Sequence, residues 1–368
     1  MSLGRACAHD LPIKLSQASR HGFKGIELFY EDLESHAQAL TDGLTHSNQL
    51  TAAQEIRQLC DKHNLQIVTL QPFLFYEGLL DRAEHHRLLN GKLALWFQLV
   101  KILRTDMIQI PANFLGPDPG TGKARTTGDL DVIVSDLREV AERGVAGGPA
   151  RSVRRVDRAN FGICLDTFNL AGRVYADPAV RDGKMVNADA NLRASLARLV
   201  ATIDVRKVFY IQVVDGERLE RPLVKGHEWH VSGQPSRMSW SRNARLFAFE
   251  EDRGGYLPIL AIARAFFDLG FEGWISLELF SRSTADPKPD IPAAHARRGA
   301  ESWRKLVRYL GLKVDVSWHF SDLMAPVPGF KLSSCIWNPF HEIIVHSFRV
   351  YKLRANRVVV ETVARCKT

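Results

Sequence analysis

Phe161-Gly162-Ile163-Cys164-Leu165-Asp166 is a short apolar run closed by a carboxylate. Its length and its β-branched and aromatic content are those of a buried strand. Two further runs have the same form. Val208-Phe209-Tyr210-Ile211 ends on Gln212, with Asp215 just beyond, and Trp274-Ile275-Ser276-Leu277 ends on Glu278. An unpaired buried charge is costly, so a carboxylate closing a buried strand needs a partner. Parallel strands with polar ends aim those side chains into one shared pocket. Asp166 and Glu278 are hard anionic donors, and Gln212 offers a neutral carbonyl oxygen. Such a set suits a divalent metal, Mg²⁺ or Mn²⁺ first and Co²⁺ next. Taken singly, each carboxylate also reads as a helix N-cap or an ion-pair partner. Their joint occurrence on consecutive strand-like segments favours a site.

Outward from these runs the chain alternates strand and helix. Gly25-Ile26-Glu27-Leu28-Phe29, Gln66-Ile67-Val68-Thr69-Leu70 and Asp106-Met107-Ile108-Gln109-Ile110 read as strands, the last two stopped by Pro72 and Pro111. Helical spacing covers residues 52–63, 85–103, 130–143, 190–203, 258–269 and 293–310. Repeated β-α units imply parallel strands with right-handed crossovers. Helices between nearly all strands predict an α/β protein with a (β/α)8, TIM-barrel-like fold. The strand count does not close. Ser2-Leu3-Gly4 supplies a seventh stub, and an eighth strand is missing where residues 144–158 are too short and polar for a β-α unit. Such a gap leaves unpaired strand edges on both sides. Residues 1–312 form the predicted barrel. Residues 313–368, with scattered prolines and a late apolar-basic stretch over 343–363, read as a poorly ordered appendage outside it.

Between the strands, Arg237-Met238-Ser239-Trp240-Ser241-Arg242-Asn243-Ala244-Arg245 reads as a binding loop, or more plainly as a surface loop with a partly buried Trp. Arg forks match carboxylates in a bidentate way. His227 and His230 could act as acid or base, although a lone loop His is more often plain surface. Glu27, Gln71, Gln109 and Asn113 fall at strand ends and could line the same mouth.

Composition sets outer limits. The chain has 368 residues, 45% of them hydrophobic, and a net charge of +8. Much of the excess charge lies in residues 143–158 and in the tail after His341, without interleaved aromatics or a nucleic-acid motif. It reads as solvated basic surface, so no nucleic-acid partner is expected. No apolar run is long enough to span a membrane and no signal peptide is visible. The 5 cysteines are scattered, as in a reduced cytoplasmic protein. No glycine-rich phosphate loop follows the first strands, which argues against a dinucleotide fold.

Several strings together carry a resemblance. They are Gly25-Ile26-Glu27-Leu28-Phe29, Leu70-Gln71-Pro72-Phe73, Ile108-Gln109-Ile110-Pro111-Ala112-Asn113-Phe114, Cys164-Leu165-Asp166-Thr167-Phe168-Asn169, Ile211-Gln212-Val213-Val214-Asp215, Met238-Ser239-Trp240-Ser241-Arg242-Asn243 and Ser276-Leu277-Glu278-Leu279-Phe280. In order along residues 1–312, they resemble the fungal 3-dehydroshikimate dehydratases of the quinate pathway, in the xylose-isomerase-like barrel superfamily. The resemblance implies a lyase that turns the small carboxylate 3-dehydroshikimate into protocatechuate and water with a divalent metal. It implies Asp166, Gln212 and Glu278 as metal ligands. For substrate it implies Ser241 and Arg245, in a Ser-x-x-x-Arg spacing; Arg242, Asn169, Gln71 and Gln109 are further substrate-binding candidates. Bacterial relatives place a catalytic His where this chain has Asn169, so the general base is unassigned, with His227 as the candidate. Relatives also carry a ligand Glu on a strand ahead of Asn160, which residues 144–158 lack. Glu142 lies on the preceding helix and is no substitute. Impaired activity is therefore expected. A sugar isomerase or epimerase of the same superfamily, or an inactive truncated copy, stands as the alternative.

Overall fold

The computed structural model describes residues 1–144, 156 and 158–313, and the backbone of residues 357–361. In chain order, α1 (Leu11–Arg20) precedes β1 (Gly25–Phe29), and α2 (Tyr30–Gln38) and α3 (His46–Lys62) lead to β2 (Gln66–Gln71). Then α4 (Arg82–Arg87) and α5 (Leu93–Leu103) precede β3 (Met107–Pro111), followed by α6 (Leu130–Gly144). The second half runs β4 (Phe161–Asp166), α7 (Thr167–Val174), α8 (Ala188–Thr202), β5 (Val208–Gln212), β6 (Asp215–Gly216), α9 (Ser236–Asn243), β7 (Arg245–Leu246), α10 (Ile259–Asp268), β8 (Trp274–Ser276) and α11 (Ile291–Leu310). The last strand, β9, is Arg357–Glu361.

Local chemistry explains these elements. Thr45 caps α3 by accepting from the Asn48 backbone N–H at 3.1 Å, and Ala52, Ala53, Ile56 and Cys60 make its buried face. The helix expected over 85–103 is interrupted by one π turn, Leu88–Lys92, between α4 and α5. Beyond the turn, α5 buries Leu93, Leu95, Trp96, Leu99, Val100 and Leu103.

A 7-stranded sheet runs in the order β1-β2-β3-β9-β4-β5-β8, and all its pairs are parallel. Helices cover its outer side, while Val68, Met107, Cys164 and Tyr210 pack together as a small interior cluster. No pairing joins β1 to β8 among the described residues. The sheet nevertheless curls until its ends approach: a Cβ on Gly25 of β1 would lie 2.9 Å from the Trp274 ring of β8. Gly162 marks another close approach, because a Cβ there would stand 2.6 Å from the Lys207 carbonyl oxygen.

Three expectations are corrected. Ser2-Leu3-Gly4 is a turn, closed by the Gly4 N–H on the Met1 carbonyl at 2.9 Å, with no strand ladder. It still lies by the open end of the sheet, where Ser2 Oγ accepts from the Leu279 N–H at 2.9 Å. The segment read as a binding loop is the helix α9 followed by β7. The tail was placed wholly outside the barrel; instead the backbone of residues 357–361, β9, enters the sheet. The rest of the tail, and most of the 144–158 gap with its basic residues, lie outside the described residues.

Candidate metal and substrate site

Asp166, at the C-terminal end of β4, fills both roles that its position allows. Its Oδ1 caps α7, accepting from the backbone N–H groups of Phe168 at 2.6 Å and Asn169 at 3.2 Å. Its Oδ2 accepts from Asn169 Nδ2 at 2.8 Å and from an Arg245 Nη at 2.9 Å. The same Arg245 nitrogen donates to Glu278 at 2.8 Å. Glu278 in turn accepts from Gln71 Nε2 at 3.3 Å. Asp166, Arg245 and Glu278 are all buried, so this is a desolvated charge cluster whose members depend on one another.

Two supports hold Arg245 in place. Ser241, one turn back along α9, accepts from its Nε at 3.3 Å and its other Nη at 3.1 Å. The rings of Phe168 and Phe280 stack on the guanidinium, with centroids at 4.6 and 5.1 Å. The Ser-x-x-x-Arg spacing joins Ser241 to Arg245, and Arg245 reaches the carboxylate pair.

A second layer lies on β1, β2 and β5. Gln212 Nε2 stands 3.0 Å from both carboxylate oxygens of Glu27. Tyr210 OH donates to Glu27 at 2.9 Å and Gln71 Nε2 at 2.8 Å. Burial pushes the Glu27 carboxyl above its ordinary range, and the Asp166 charge adds to that, despite these donors. Glu27 was read only as a possible lining residue, and Tyr210 as part of an apolar run. The period-two alternation of β5, which puts Tyr210 on the same face as Gln212, is the signal that could have found the pair.

The donor chemistry suits a hard cation. Gln212 Oε1 and Gln109 Oε1 are buried carbonyl oxygens with no hydrogen-bond donor. A buried acceptor left unpaired is costly, and a bound cation would satisfy both. Among the described residues, however, no group of three or more His, Cys, Asp or Glu side chains gathers closely enough to hold a metal ion.

The remaining expected residues divide. Asn169 is anchored on Asp166, and Asn113 is tied to the β2–α4 loop, its Nδ2 donating to the Glu77 carbonyl at 2.8 Å. Arg242 is exposed and points its guanidinium to Gln234 Oε1 at 3.0 Å and over the Phe114 ring. His227 is not joined to the charge cluster. Its Nδ1 accepts from the Trp229 N–H at 3.1 Å, and its ring meets the Trp229 ring at 5.1 Å. Trp240, expected to be partly buried, is fully buried against Phe168, with Nε1 donating to the Glu217 carbonyl at 2.8 Å.

A family model described as "Xylose isomerase-like TIM barrel" matches residues 15–148 and 150–306. The chain belongs to the xylose isomerase-like TIM barrel family. Within it, the chain is 48% identical to a 3-dehydroshikimate dehydratase of Neurospora crassa over 86% of this chain and 94% of that protein. It is 26% identical to a Pseudomonas aeruginosa protein of the same name over 74% of this chain but only 36% of that longer relative. Two solved members of this barrel class share the fold. One is a xylose isomerase-like TIM barrel/4-hydroxyphenylpyruvate dioxygenase fusion protein, with TM-score 0.58 and 22% identity over 84% of this chain and 42% of that one. The other is the IOLI protein, described with a binding zinc atom, with TM-score 0.54 and 13% identity over 83% and 96%. The chain is thus a homologue of a fungal 3-dehydroshikimate dehydratase. No helix among the described residues is long and apolar enough to cross a membrane.

Proposed function

We propose that this protein is a cytoplasmic, divalent-metal-dependent lyase that dehydrates 3-dehydroshikimate to protocatechuate. The observation that carries the reading is the meeting of Asp166, Glu278 and Arg245 beside the unpaired Gln212 oxygen, in a chain 48% identical to a dehydratase of that name. Asp166, Glu278 and the carbonyl oxygens of Gln212 and Gln109 are the residues that would hold the ion. A divalent ion there supplies a Lewis acid for the ring ketone.

The other steps fall to the chain's own residues. Arg245, braced by Ser241 and two aromatic rings, sets a positive charge beside the Asp166–Glu278 pair that would attract the substrate carboxylate. Buried walls from Phe168 and Trp240 exclude water around it. A base takes the proton from the carbon beside the ketone, and the ring hydroxyl leaves with a proton as water. His227 is the residue proposed for that proton, from its place on the loop ahead of α9. Loss of water and enolisation give the aromatic product.

The test is an ultraviolet assay of protocatechuate formation with Mg²⁺ or Mn²⁺. Product formation that stops with chelator and with Glu278→Gln supports the reading. Product formation indifferent to both sinks the metal dependence. Turnover of a ketose panel in place of 3-dehydroshikimate points to an isomerase or epimerase instead.

A further inference from the structure

The loops after β2 and β3 enclose a cavity of about 640 Å³ that shares no residue with the Asp166–Arg245–Glu278 cluster. That volume is in the range of small-molecule sites. Its frame is fixed. Leu79 and Thr126 form an antiparallel bridge between the two loops. The Leu80 N–H donates to the Arg125 carbonyl at 3.0 Å and the Thr127 N–H to the Gly78 carbonyl at 2.8 Å. Buried Asp136 of α6 adds a third tie, accepting from the Gly78 N–H at 2.8 Å and from Arg82 at 2.8 Å. The wall is largely apolar, with Leu74, Leu79, Leu88 and Leu115 on it.

Lys92 borders the same space. It closes the π turn Leu88–Lys92, a distortion that concentrates at functional sites. Its ammonium lies over the rings of Tyr30, Phe73 and Trp96, with centroids at 5.3, 5.5 and 5.7 Å. Among the described residues it makes no hydrogen bond or ion pair, so its N–H donors remain available. Burial pushes the Lys92 amine below its ordinary range, against the pull of the Glu34 charge. A carboxylate seated beside it would offset that cost.

The other charges around the cavity are unevenly committed. Asp81 caps α4 through the Glu84 N–H at 3.0 Å, and Glu84 accepts two bonds from Arg87 at 2.6 Å. Asp118 accepts from the Thr121 N–H at 2.8 Å. Lys123 and Arg125 form no salt bridge among the described residues; Arg125 gives only its Nε, to the Gly116 carbonyl at 2.8 Å. Phe75, also on the wall, has φ of 61°, a left-handed conformation that is costly for a bulky residue and that collects at ligand clamps.

We propose that this cavity is a second binding site, for a small ring carboxylate. The carboxylate sits on Lys92, and the ring lies against the leucines and Phe75. The three carboxylates on the rim disfavour a multiply charged anion such as phosphate. The proposal is independent of the metal-dependent reading above.

The experiment uses the full-length protein without metal, with leucine methyls labelled for nuclear magnetic resonance and benzoate as the probe. Benzoate should shift the methyl signals of Leu79, Leu88 and Leu115 saturably and leave those of Leu165 and Leu279, beside the charge cluster, in place. Lys92→Met keeps the apolar stem and removes an unpaired ammonium, so it should fold as the parent does. It should weaken benzoate binding about tenfold or more, as loss of a charge-assisted hydrogen bond does. Leu115→Trp fills the cavity with Lys92 intact and should abolish the shifts. Unchanged affinity in Lys92→Met, shifts confined to Leu165 and Leu279, or no saturable shift at all overturns the site. Inorganic phosphate binding there as tightly as benzoate overturns the ligand class.

Discussion

The Gln212 side-chain amide is held by the Glu27 carboxylate, with Nε2 at 3.0 Å from each of its oxygens. This fixes which end of the amide is which: the nitrogen faces Glu27, so Oε1 faces away and is left without a donor. On the proposed reading, Glu27 orients Gln212, whose Oε1 would face the ion. Glu27→Gln should let the Gln212 amide flip. We expect a roughly 10–100-fold loss of Mn²⁺ affinity with a modest change in melting temperature. Equal affinity in the variant and the parent would remove the orienting role.

Arg245 is the common partner of Asp166 and Glu278. In Arg245→Met the two carboxylates lose that partner while staying buried, which costs on the order of 3–5 kcal/mol. The metal-free melting temperature should fall sharply. Mn²⁺ should recover more of it than in the parent, because the ion then supplies the missing positive charge. A variant as stable as the parent without metal would contradict the coupling.

His295 and Asp215 titrate with opposite signs. Burial, with the Arg298 charge behind it, lowers the buried His295 imidazole to about 4. Between an unfolded value near 6.5 and that value, the unfolded chain binds the proton and the folded chain does not. His295 therefore contributes stability above pH 6.5 that is lost as pH falls toward 4. Asp215 is raised to about 7 by burial, which outweighs the N–H donors of Leu257, Gly216 and Tyr256. Here the folded chain holds the proton, so its contribution is full below about pH 4 and is lost as pH rises to 7. Going from pH 7 to pH 5, His295→Gln should gain stability relative to the parent and Asp215→Asn should lose it. Each slope is worth about 1.4 kcal/mol per pKa unit. Urea melts at both pH values check the signs, and parallel curves for all three proteins would refute them.

Gly162 is a packing constraint. A methyl group there meets the Lys207 carbonyl oxygen at 2.6 Å and the Phe209 ring at 2.7 Å. The carbonyl is backbone and cannot rotate aside, so Gly162→Ala should destabilise by about 1–3 kcal/mol. A melting temperature equal to the parent's would mean that β4 and β5 separate more easily than their packing suggests.

His227 lies apart from the charge cluster, packed on Trp229. As the proposed proton acceptor it should be indispensable: His227→Gln should lower kcat by 10²-fold or more, on the order of a general base's contribution. Unchanged kcat would pass the role to another group.

The strands that carry Glu27, Gln71, Gln109, Asp166 and Gln212, and the one that leads to Glu278, were legible because each is an apolar run bounded by Pro, Gly or a polar end. α9 was not, because its Ser and Arg residues make no apolar stripe and only Ser239 and Trp240 are buried. The pairing of Tyr210 with Glu27 escaped because a Tyr within an apolar strand reads as core until its neighbours in space are known. β9 shows a different limit. Val358-Val359-Val360-Glu361 has the same signature as the opening strands, but it follows the end of the β-α alternation. Reading elements in chain order assigns such a segment to a tail. Only the three-dimensional order β3-β9-β4 reveals its place.

That order has a consequence for how the molecule is made. β3 and β4 emerge from the ribosome well before β9, so the middle of the sheet waits for a strand made much later. Until then the facing edges of β3 and β4 present unpaired N–H and C=O groups to whatever strand is nearest. Completing the sheet joins strands far apart in the chain, which costs loop-closure entropy and slows folding. The chain's most exposed moment is therefore its synthesis, and chaperone demand, more than equilibrium stability, should set how much of it accumulates.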